Sequence, residues 1–264
     1  MDGTMMPPAG VHPGPNPAIK WFLFILFGLI FVIGVIIAGY YLSRTDTMGV
    51  TVIRMEGTMV TGLGSDTDII GSEVVGGELR DAADDPMIEA IVLRVNSPGG
   101  TPAAAQEIIR DLDYARSKKP VVVSMGDLAT SAAYYVSVHA DRIYANPDTF
   151  TAGVGVIWTF SDVSRFNEKE GFNISIIKSG SKKDMGSTSR PITDEEQAYA
   201  QKIVNDSFEN FIGDVITHRA IARSEIDDGR VIRGADAIRL NVVDEIGNLN
   251  DAIVGAKKLA ESRP

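Results

Sequence analysis

The chain has 264 residues, of which 44% are hydrophobic, so it is long enough to bury a substantial core. Its formal net charge of −10 argues against nucleic acid as a partner. It contains no cysteine, which excludes disulfides, thiolate catalysis and cysteine-ligated zinc, and it has only three histidines.

The N-terminal part predicts a tail followed by a membrane anchor. Residues 1–20 are proline-rich without hydropathy periodicity, which predicts a disordered tail. Residues 21–43 contain no charged residue, and as a helix at about 1.5 Å per residue they would span roughly 34 Å, enough to cross a bilayer. Trp21 and Tyr40–Tyr41 flank the run, as interfacial aromatic residues do. We therefore expect a single transmembrane helix at 21–43, located in the cell membrane, and a short linker at 44–48.

Residues 49–264 alternate strand and helix patterns, which predicts one α/β domain with a largely parallel sheet. The predicted strands lie at 49–57, 90–96, 120–126, 142–147, 154–158 and 173–180. The predicted helices lie at 78–90, 102–119, 131–140, 193–220 and 250–262, with a small helix–strand–turn at 235–247. Thr101 is the expected N-cap of the second helix, and Thr193 with Glu196 forms a capping box at the start of the longest one.

Two strand-to-helix turns could present backbone N–H groups to a ligand. The turn "NSPGGTP" contains Gly99 and Gly100, and the turn "ATSAAYY" places Ser131 at the start of a helix among small residues. If the amides of Ala132 and Gly100 converge beside the Ser131 hydroxyl, they form an oxyanion hole next to a nucleophile. A simpler interpretation remains for each turn: glycine needed only for turn geometry, and Ser131 serving only as a helix N-cap.

A serine nucleophile needs a group that accepts its proton. None of the histidines is well placed: His139 lies two helical turns beyond the serine, His218 ends the long helix, and His12 precedes the anchor. A Ser-His-Asp triad is therefore not expected, whereas a lysine with a pKa lowered by burial can act as the base. The candidates in "IIKSGSKKDMGSTSRP" are Lys178, Lys182 and Lys183, and for each the alternative is an ordinary surface lysine.

Four segments, in this order, resemble the signal peptide peptidase A family, also called protease IV. They are "VNSPGGT", "MGDLATSAAYYVSVHADRIYANPDTFTAGVGVI", "KSGSKKDMGSTSRPITDEE" and "DGRVIRGADAIRLNVVDEIG", and the similarity covers most of residues 50–255. The resemblance implies a Clp protease/crotonase-like fold of repeated ββα units. It also implies Ser131 as nucleophile and Lys183 as general base, with an oxyanion hole formed by Gly99, Gly100 and Ala132.

The same resemblance implies a function and partners. Members of the family degrade signal peptides left in the membrane, with a Ser-Lys dyad and no metal or cofactor. Their catalytic domains lie outside the cytoplasm and assemble into homo-oligomers, in which serine and lysine can come from neighbouring subunits. We therefore expect peptide substrates, the lipid bilayer and further copies of this chain as partners, and no nucleic acid.

The sequence departs from the family pattern at two places. The nucleophile is followed by Ala132–Ala133 instead of Gly-Gly or Gly-Ala, and the serine that orients the lysine in many members corresponds to Gly153. Thr151 and Ser124 are the candidate substitutes for that serine. Three other functions stay open: a related membrane protease acting on a stomatin-like membrane protein, a crotonase-like acyl-CoA enzyme, and an inactive peptide-binding scaffold.

Overall fold

The computed structural model describes residues 17–42, 49–65 and 68–263. Contacts divide the chain into two units, residues 1–48 and 49–264. Within the first unit, helix α1 covers Pro17–Leu42.

Helix α1 begins four residues before the predicted anchor, in what the sequence predicts as tail, because Pro17 is well suited to the first helical position. The rest of the predicted tail, residues 1–16, and the linker at 44–48 lie outside the described residues. Among the residues that the structure describes fully, no helix is long and apolar enough to count as a membrane span. The membrane anchor at 21–43 therefore stays a prediction.

The second unit alternates strands and helices along the chain. The strands are β1 (Val50–Glu56), β2 (Thr58–Val60), β3 (Ile69–Gly71), β4 (Ala90–Ser97), β5 (Val121–Thr130), β6 (Arg142–Ala145), β7 (Phe150–Ala152), β8 (Val231–Arg233) and β9 (Glu245–Ile246). The helices are α2 (Ser72–Asp84), α3 (Pro102–Lys118), α4 (Ala132–Ser137), α5 (Ser164–Lys169), α6 (Asp194–His218), α7 (Gly234–Ala237) and α8 (Leu249–Ser262), with a 3₁₀ helix at Arg223–Glu225.

The described strands form one seven-stranded sheet and one small pair. In the main sheet β1, β4, β5, β6 and β9 follow one another in parallel. Strand β7 pairs in parallel with the end of β5 and antiparallel with β8, while β2 and β3 pair separately. The predicted mixed α/β class with a mostly parallel sheet is therefore confirmed.

Alternation along the central strands divides the core between the two faces of the sheet. In β4, Ile91, Leu93 and Val95 belong to the large cluster that includes the apolar sides of α2, α3, α4 and α6. Ala90 and Val92 point to the other face and pack in the cluster that includes α8. Because both faces are covered, β4 and β5 are buried along most of their length and begin with runs of apolar residues, as buried parallel strands do.

The sequence predicts two helix caps correctly and misplaces the bounds of one helix. Thr101 caps α3 by accepting a hydrogen bond from Ala104 N, and the capping box of Thr193 and Glu196 opens α6, as predicted. The helix predicted at 78–90 is α2, which begins and ends six residues earlier. It ends at Asp84 because the following residue precedes a proline and therefore disfavours helical backbone.

Two predicted strands are wrong. Residues 154–158 and 173–180 form no strand in the described chain. Strand β7 ends at Ala152, since Ala152 and the next residue adopt left-handed φ values of +62° and +63°. The β-branched residues of the two segments pair with no strand of the described chain, and Ile157 and Ile177 are 90% and 99% exposed.

Candidate active site

Ser131 lies in the sharp turn between β5 and α4, with φ +55° and ψ −128°. A residue with a side chain rarely adopts this conformation, and such strain persists only where the surroundings impose it. Here the amide of Ser131 donates to Ala152 O at 2.8 Å, and its carbonyl accepts from Tyr135 N at 2.9 Å. The Ser131 side chain makes no capping hydrogen bond, so the interpretation as a simple N-cap is wrong.

The two glycines beside this turn have different hydrogen bonds. The amide of Gly99 donates to Ser97 Oγ at 3.1 Å, so Gly99 does not serve as an oxyanion donor here. Met59 N donates to Gly99 O at 2.9 Å, and Thr101 N donates to Met59 O at 3.0 Å. Gly100 lies between these bonds in a parallel bridge to Met59, and this pattern turns its own N–H away from β2.

Two amides without a partner therefore border the serine. Ala132 is the first residue of α4, where no helical carbonyl is available to its N–H. Neither Ala132 nor Gly100 donates a backbone hydrogen bond to another residue in the described part of the chain. Both line one cavity with Ser131. Two free donors next to a hydroxyl are what an oxyanion hole requires.

Gly99 matters because of its small size. A Cβ atom there would lie 2.9 Å from both Ala132 N and Ser131 Cβ, and its φ is +104°. We expect Gly99→Ala to cost roughly 1–3 kcal/mol in the free energy of unfolding and to slow the reaction of Ser131 with a fluorophosphonate at least tenfold. Urea unfolding and labelling rates measure the two effects.

Gly171→Ala is the matched control for that substitution. Gly171 also has a left-handed φ, +79°, but no atom lies within 4 Å of a Cβ built on it. It should lose stability without losing Ser131 reactivity. Equal labelling rates in the two variants would show that contact with the turn is unimportant.

Ser131 stands where two cavities meet. The inner pocket, of about 150 Å³, has mostly apolar walls and is lined by Gly100, Pro102, Gln106, Ser131, Ala132, Tyr135, Gly155, Val156, Ile157, Ser207, Asn210 and Phe211. The outer cleft, of about 530 Å³, shares Ser131 and residues 155–157 with it and continues past Gly153 to residues 227–229. An extended chain crossing Ser131 would therefore find space on both sides of the hydroxyl.

Helix α6 fixes the wall of the inner pocket through Tyr135. The Tyr135 ring stacks on Phe211 with centroids 4.7 Å apart, and its hydroxyl donates to Asp214. Burial, together with this hydrogen bond, raises the pKa of Tyr135 above its usual value, so the phenol stays protonated. The stacked ring and the hydroxyl that donates to Asp214 therefore fix this part of the pocket wall.

The three candidate lysines differ in their partners. Lys178 Nζ bonds Asp184 Oδ1 at 2.5 Å and donates to Ser181 O at 2.9 Å. Lys182 pairs with Glu195, which raises the pKa of Lys182. Lys183 is exposed, and among the described residues its ammonium has no hydrogen-bond or ion-pair partner. Of the three, only Lys183 has no carboxylate partner among the described residues.

Within the described chain, Lys183 lines neither of the two cavities that Ser131 lines. The adjacent Lys182 is held at Glu195 in the first turn of α6, and the outer cleft and the inner pocket begin further along this helix, at Gln201 and Ser207. At 1.5 Å per residue these positions lie about 9 Å and about 18 Å from Glu195 along the helix axis.

The candidate lysine-orienting hydroxyls are both engaged elsewhere. Ser124 is buried, accepts from Arg94 Nη1 at 3.0 Å and lies roughly 20 Å before Ser131 along β5, so it does not fit the role. Thr151 is closer but fully buried, and its hydroxyl donates to Ala129 O at 2.9 Å.

Gly153 replaces the usual serine in the outer cleft itself. A Cβ there would meet Ser131 N at 3.4 Å, and its φ of +63° is favourable for glycine. The family serine would be strained in this backbone, which explains why the position suits glycine in this chain.

Sequence reasoning missed the residues that hold the lysine loop. Arg190 connects Asp184 to Glu196 by ion pairs, and only the capping-box role of Glu196 was visible in the sequence. The pocket walls on α6 were also missed, because a helical pattern shows that Phe211 is buried without showing against what. Among the described residues, no group of three or more acidic or histidine side chains is arranged to hold a metal.

Comparison with known proteins identifies the family of the chain. The sequence model of peptidase family S49 matches residues 114–263. A Methanocaldococcus jannaschii protein provisionally named as a protease is 36% identical over 69% of this chain and 60% of its own length. Protease 4 of Haemophilus influenzae is 34% identical over 81% of this chain and 35% of its own.

A third relative, from Enterococcus faecium, is provisionally named as a signal peptide peptidase. It is 33% identical over 69% of this chain and 54% of its own length. The chain thus spans about three fifths or less of the length of these three curated relatives.

Proposed function

This chain belongs to peptidase family S49, and on that premise we propose that it is a membrane-anchored serine endopeptidase that degrades remnant signal peptides and similar apolar peptides. The family resemblance predicted from four sequence segments is confirmed by the family match. The single observation that carries the activity is the strained Ser131, standing between the free amides of Gly100 and Ala132 at the junction of two cavities. The finer fold assignment, a Clp protease/crotonase-like arrangement of ββα units, belongs to the same proposal.

The chemistry uses a Ser-Lys dyad. Ser131 Oγ attacks the peptide carbonyl carbon while neutral Lys183 accepts the hydroxyl proton. The amides of Gly100 and Ala132 donate to the oxyanion of the tetrahedral intermediate. The intermediate collapses, Lys183 returns the proton to the leaving amine, and Ser131 remains as an ester. Water, deprotonated by the same lysine, hydrolyses this ester.

We propose that a neighbouring subunit supplies the base. Lys183 is exposed and without a partner in the described chain, and it lines neither cavity at Ser131. The segments at 154–158 and 173–180 have strand-like sequences, pair with no strand of the described chain, and expose the apolar side chains of Ile157, Trp158, Ile174, Ile176 and Ile177. Both features are those expected of a subunit whose site and sheet edges are completed by another copy.

The cavities favour an extended, apolar substrate. A volume of about 150 Å³ matches a cavity that holds a benzene-sized group, so the inner pocket suits a medium-sized apolar side chain. Backbone segments on both sides of Ser131 can bind an extended peptide by main-chain hydrogen bonds. The uncharged run at 21–43 supports an anchor, and the family resemblance supports a catalytic unit outside the cytoplasm.

A synthetic signal peptide incubated with the full chain in detergent tests this function. We expect mass spectrometry to show internal cleavage, with apolar side chains preceding the cut, and no cleavage by Ser131→Ala. A folded oligomer that binds the peptide uncut would support the inactive scaffold, and binding of a CoA thioester would support the crotonase-like enzyme. Faster cleavage of a stomatin-like membrane protein than of signal peptides would favour the related membrane protease.

A further inference from the structure

Arg190 connects the loop that carries Lys183 to the start of α6 through ion pairs. Arg190 Nε and Nη2 donate to the two carboxylate oxygens of Asp184, both at 2.8 Å. Its Nη1 and Nη2 donate to the two oxygens of Glu196 at 2.8 and 2.6 Å. The Asp184 and Glu196 side chains are only 9% and 5% exposed. We call Asp184, Arg190 and Glu196 the Arg190 clamp.

The clamp is well anchored on the helix side. Glu196 also accepts a hydrogen bond from Thr193 N at 3.0 Å, closing the capping box of α6. Its bonds to Arg190 and Thr193 lower the pKa of Glu196 to about 2, so it stays ionised at any pH at which the protein would work. The clamp therefore connects the lysine loop to a rigid helix terminus.

Asp184 is the carboxylate adjacent to Lys183 in the chain, yet both its oxygens are occupied. Arg190 holds both of them, and Lys178 Nζ also bonds Oδ1 at 2.5 Å. These two cations hold the pKa of Asp184 well below its usual range. If Arg190 were absent, one oxygen would be open to Lys183, and a carboxylate close to an ammonium favours the charged form that cannot act as a base.

We propose that the Arg190 clamp positions Lys183 and prevents the Asp184 carboxylate from pairing with it, so that the lysine can lose its proton at the pH at which the protein works. The clamp residues line neither cavity at Ser131, and in this proposal they act only through Lys183. This inference rests on the Ser131–Lys183 chemistry proposed above, whichever subunit provides the lysine.

Most other charged groups around the loop are cationic or already have partners. Lys178 and Lys182 lie on the loop itself and are cationic. Among the acidic groups nearby, Asp162 accepts from Ser164 N, Glu195 pairs with Lys182, and Asp194 is the first residue of α6. The Tyr199 ring centroid lies 5.9 Å from the Lys182 ammonium. Loss of Arg190 would release Asp184 and one oxygen of Glu196, but Glu196 would still accept from Thr193 N, whereas Asp184 is adjacent to Lys183 in the chain.

The pH dependence of kcat/KM in the assembled full chain tests the clamp. Wild-type activity should rise with pH as Lys183 becomes neutral. In Arg190→Gln the released Asp184 carboxylate should favour the ammonium form of Lys183. The rise in kcat/KM should therefore occur about one pH unit higher than in the wild type. At low pH kcat/KM should be roughly tenfold lower than in the wild type, and at high pH it should recover. Asp184→Asn should lower kcat without an upward move, because no carboxylate is released.

The double variant Arg190→Gln/Asp184→Asn gives the sharpest outcome. It should return the rise to the wild-type pH, whereas a purely structural clamp would reduce activity equally at every pH in all three variants and would overturn the inference. Arg190→Lys should show a smaller upward move, and it replaces Arg190→Gln if that variant does not assemble.

Arg80→Gln is the matched control. It removes an arginine–aspartate pair between α2 and α3, where Arg80 Nε donates to Asp111 Oδ1 at 2.6 Å, away from both cavities. Its pH profile should equal that of the wild type. If Ser131→Ala or Lys183→Ala keeps full activity, the dyad itself has failed, and that result is distinct from an unmoved profile in Arg190→Gln.

Discussion

Ser131→Ala is expected to abolish peptide cleavage and fluorophosphonate labelling while leaving the fold intact. Removing the nucleophile of a serine peptidase costs at least about 10⁴-fold in kcat. The fold should persist because the Ser131 side chain makes no capping bond and alanine keeps the same Cβ. Cleavage rates and thermal unfolding of the two proteins provide the measurement.

Ser131→Gly separates the chemistry from the strain. Glycine adopts φ +55° without a steric penalty, so relief of roughly 1–3 kcal/mol of strain should outweigh the ~0.5–1 kcal/mol entropic cost of a glycine. This variant should be inactive but more stable than Ser131→Ala. Ser117→Ala, at an exposed serine of α3 that lines neither cavity, serves as control and should keep wild-type activity. Labelling that survives in either Ser131 variant would remove this residue as the nucleophile.

The parts of the fold that are local in sequence were predictable. The caps of α3 and α6 depend on residues within three positions of one another, and β4 and β5 begin with apolar runs because both faces of the sheet are covered. The strands predicted at 154–158 and 173–180 are wrong because strand formation depends on a partner that the local sequence does not reveal. A strand needs a partner, and in the described chain neither segment pairs with one, so most of their apolar side chains are left exposed.

The candidate site also has a part that the sequence predicts and a part that it does not. The small residues around Ser131 and the glycines before α3 indicated a nucleophile and two amides, because each lies in a short turn of recognisable sequence. Which amide is free depends on the neighbouring Ser97 hydroxyl and on Met59, which no local pattern connects to Gly99. The ion pairs of the Arg190 clamp likewise depend on how the loop folds back on α6.

Mixing two inactive chains should restore activity if the base comes from a neighbour. A Ser131→Ala chain keeps Lys183, and a Lys183→Ala chain keeps Ser131, so a contact between them contains one complete dyad. The structure favours this arrangement because Lys183 is exposed and lines neither cavity at Ser131. The measurement is cleavage of a signal peptide after the two chains are co-expressed and purified through separate tags, which proves that both are present.

The fraction of peptidase activity that is recovered shows whether the Ser131–Lys183 dyad forms between subunits or within one. In a ring of head-to-tail contacts assembled at random from equal amounts, about one quarter of the sites would hold both the serine and the neighbour's lysine. A chain carrying both substitutions, mixed equally with wild type, supplies the second number: about one quarter of sites active if the lysine acts between subunits, about one half if it acts within one. Mixed oligomers of the two single variants without activity, together with one half in the second mixture, would place the dyad within a chain. The loop carrying Lys183 would then have to move toward Ser131, and the ion pairs of Arg190 would oppose that movement.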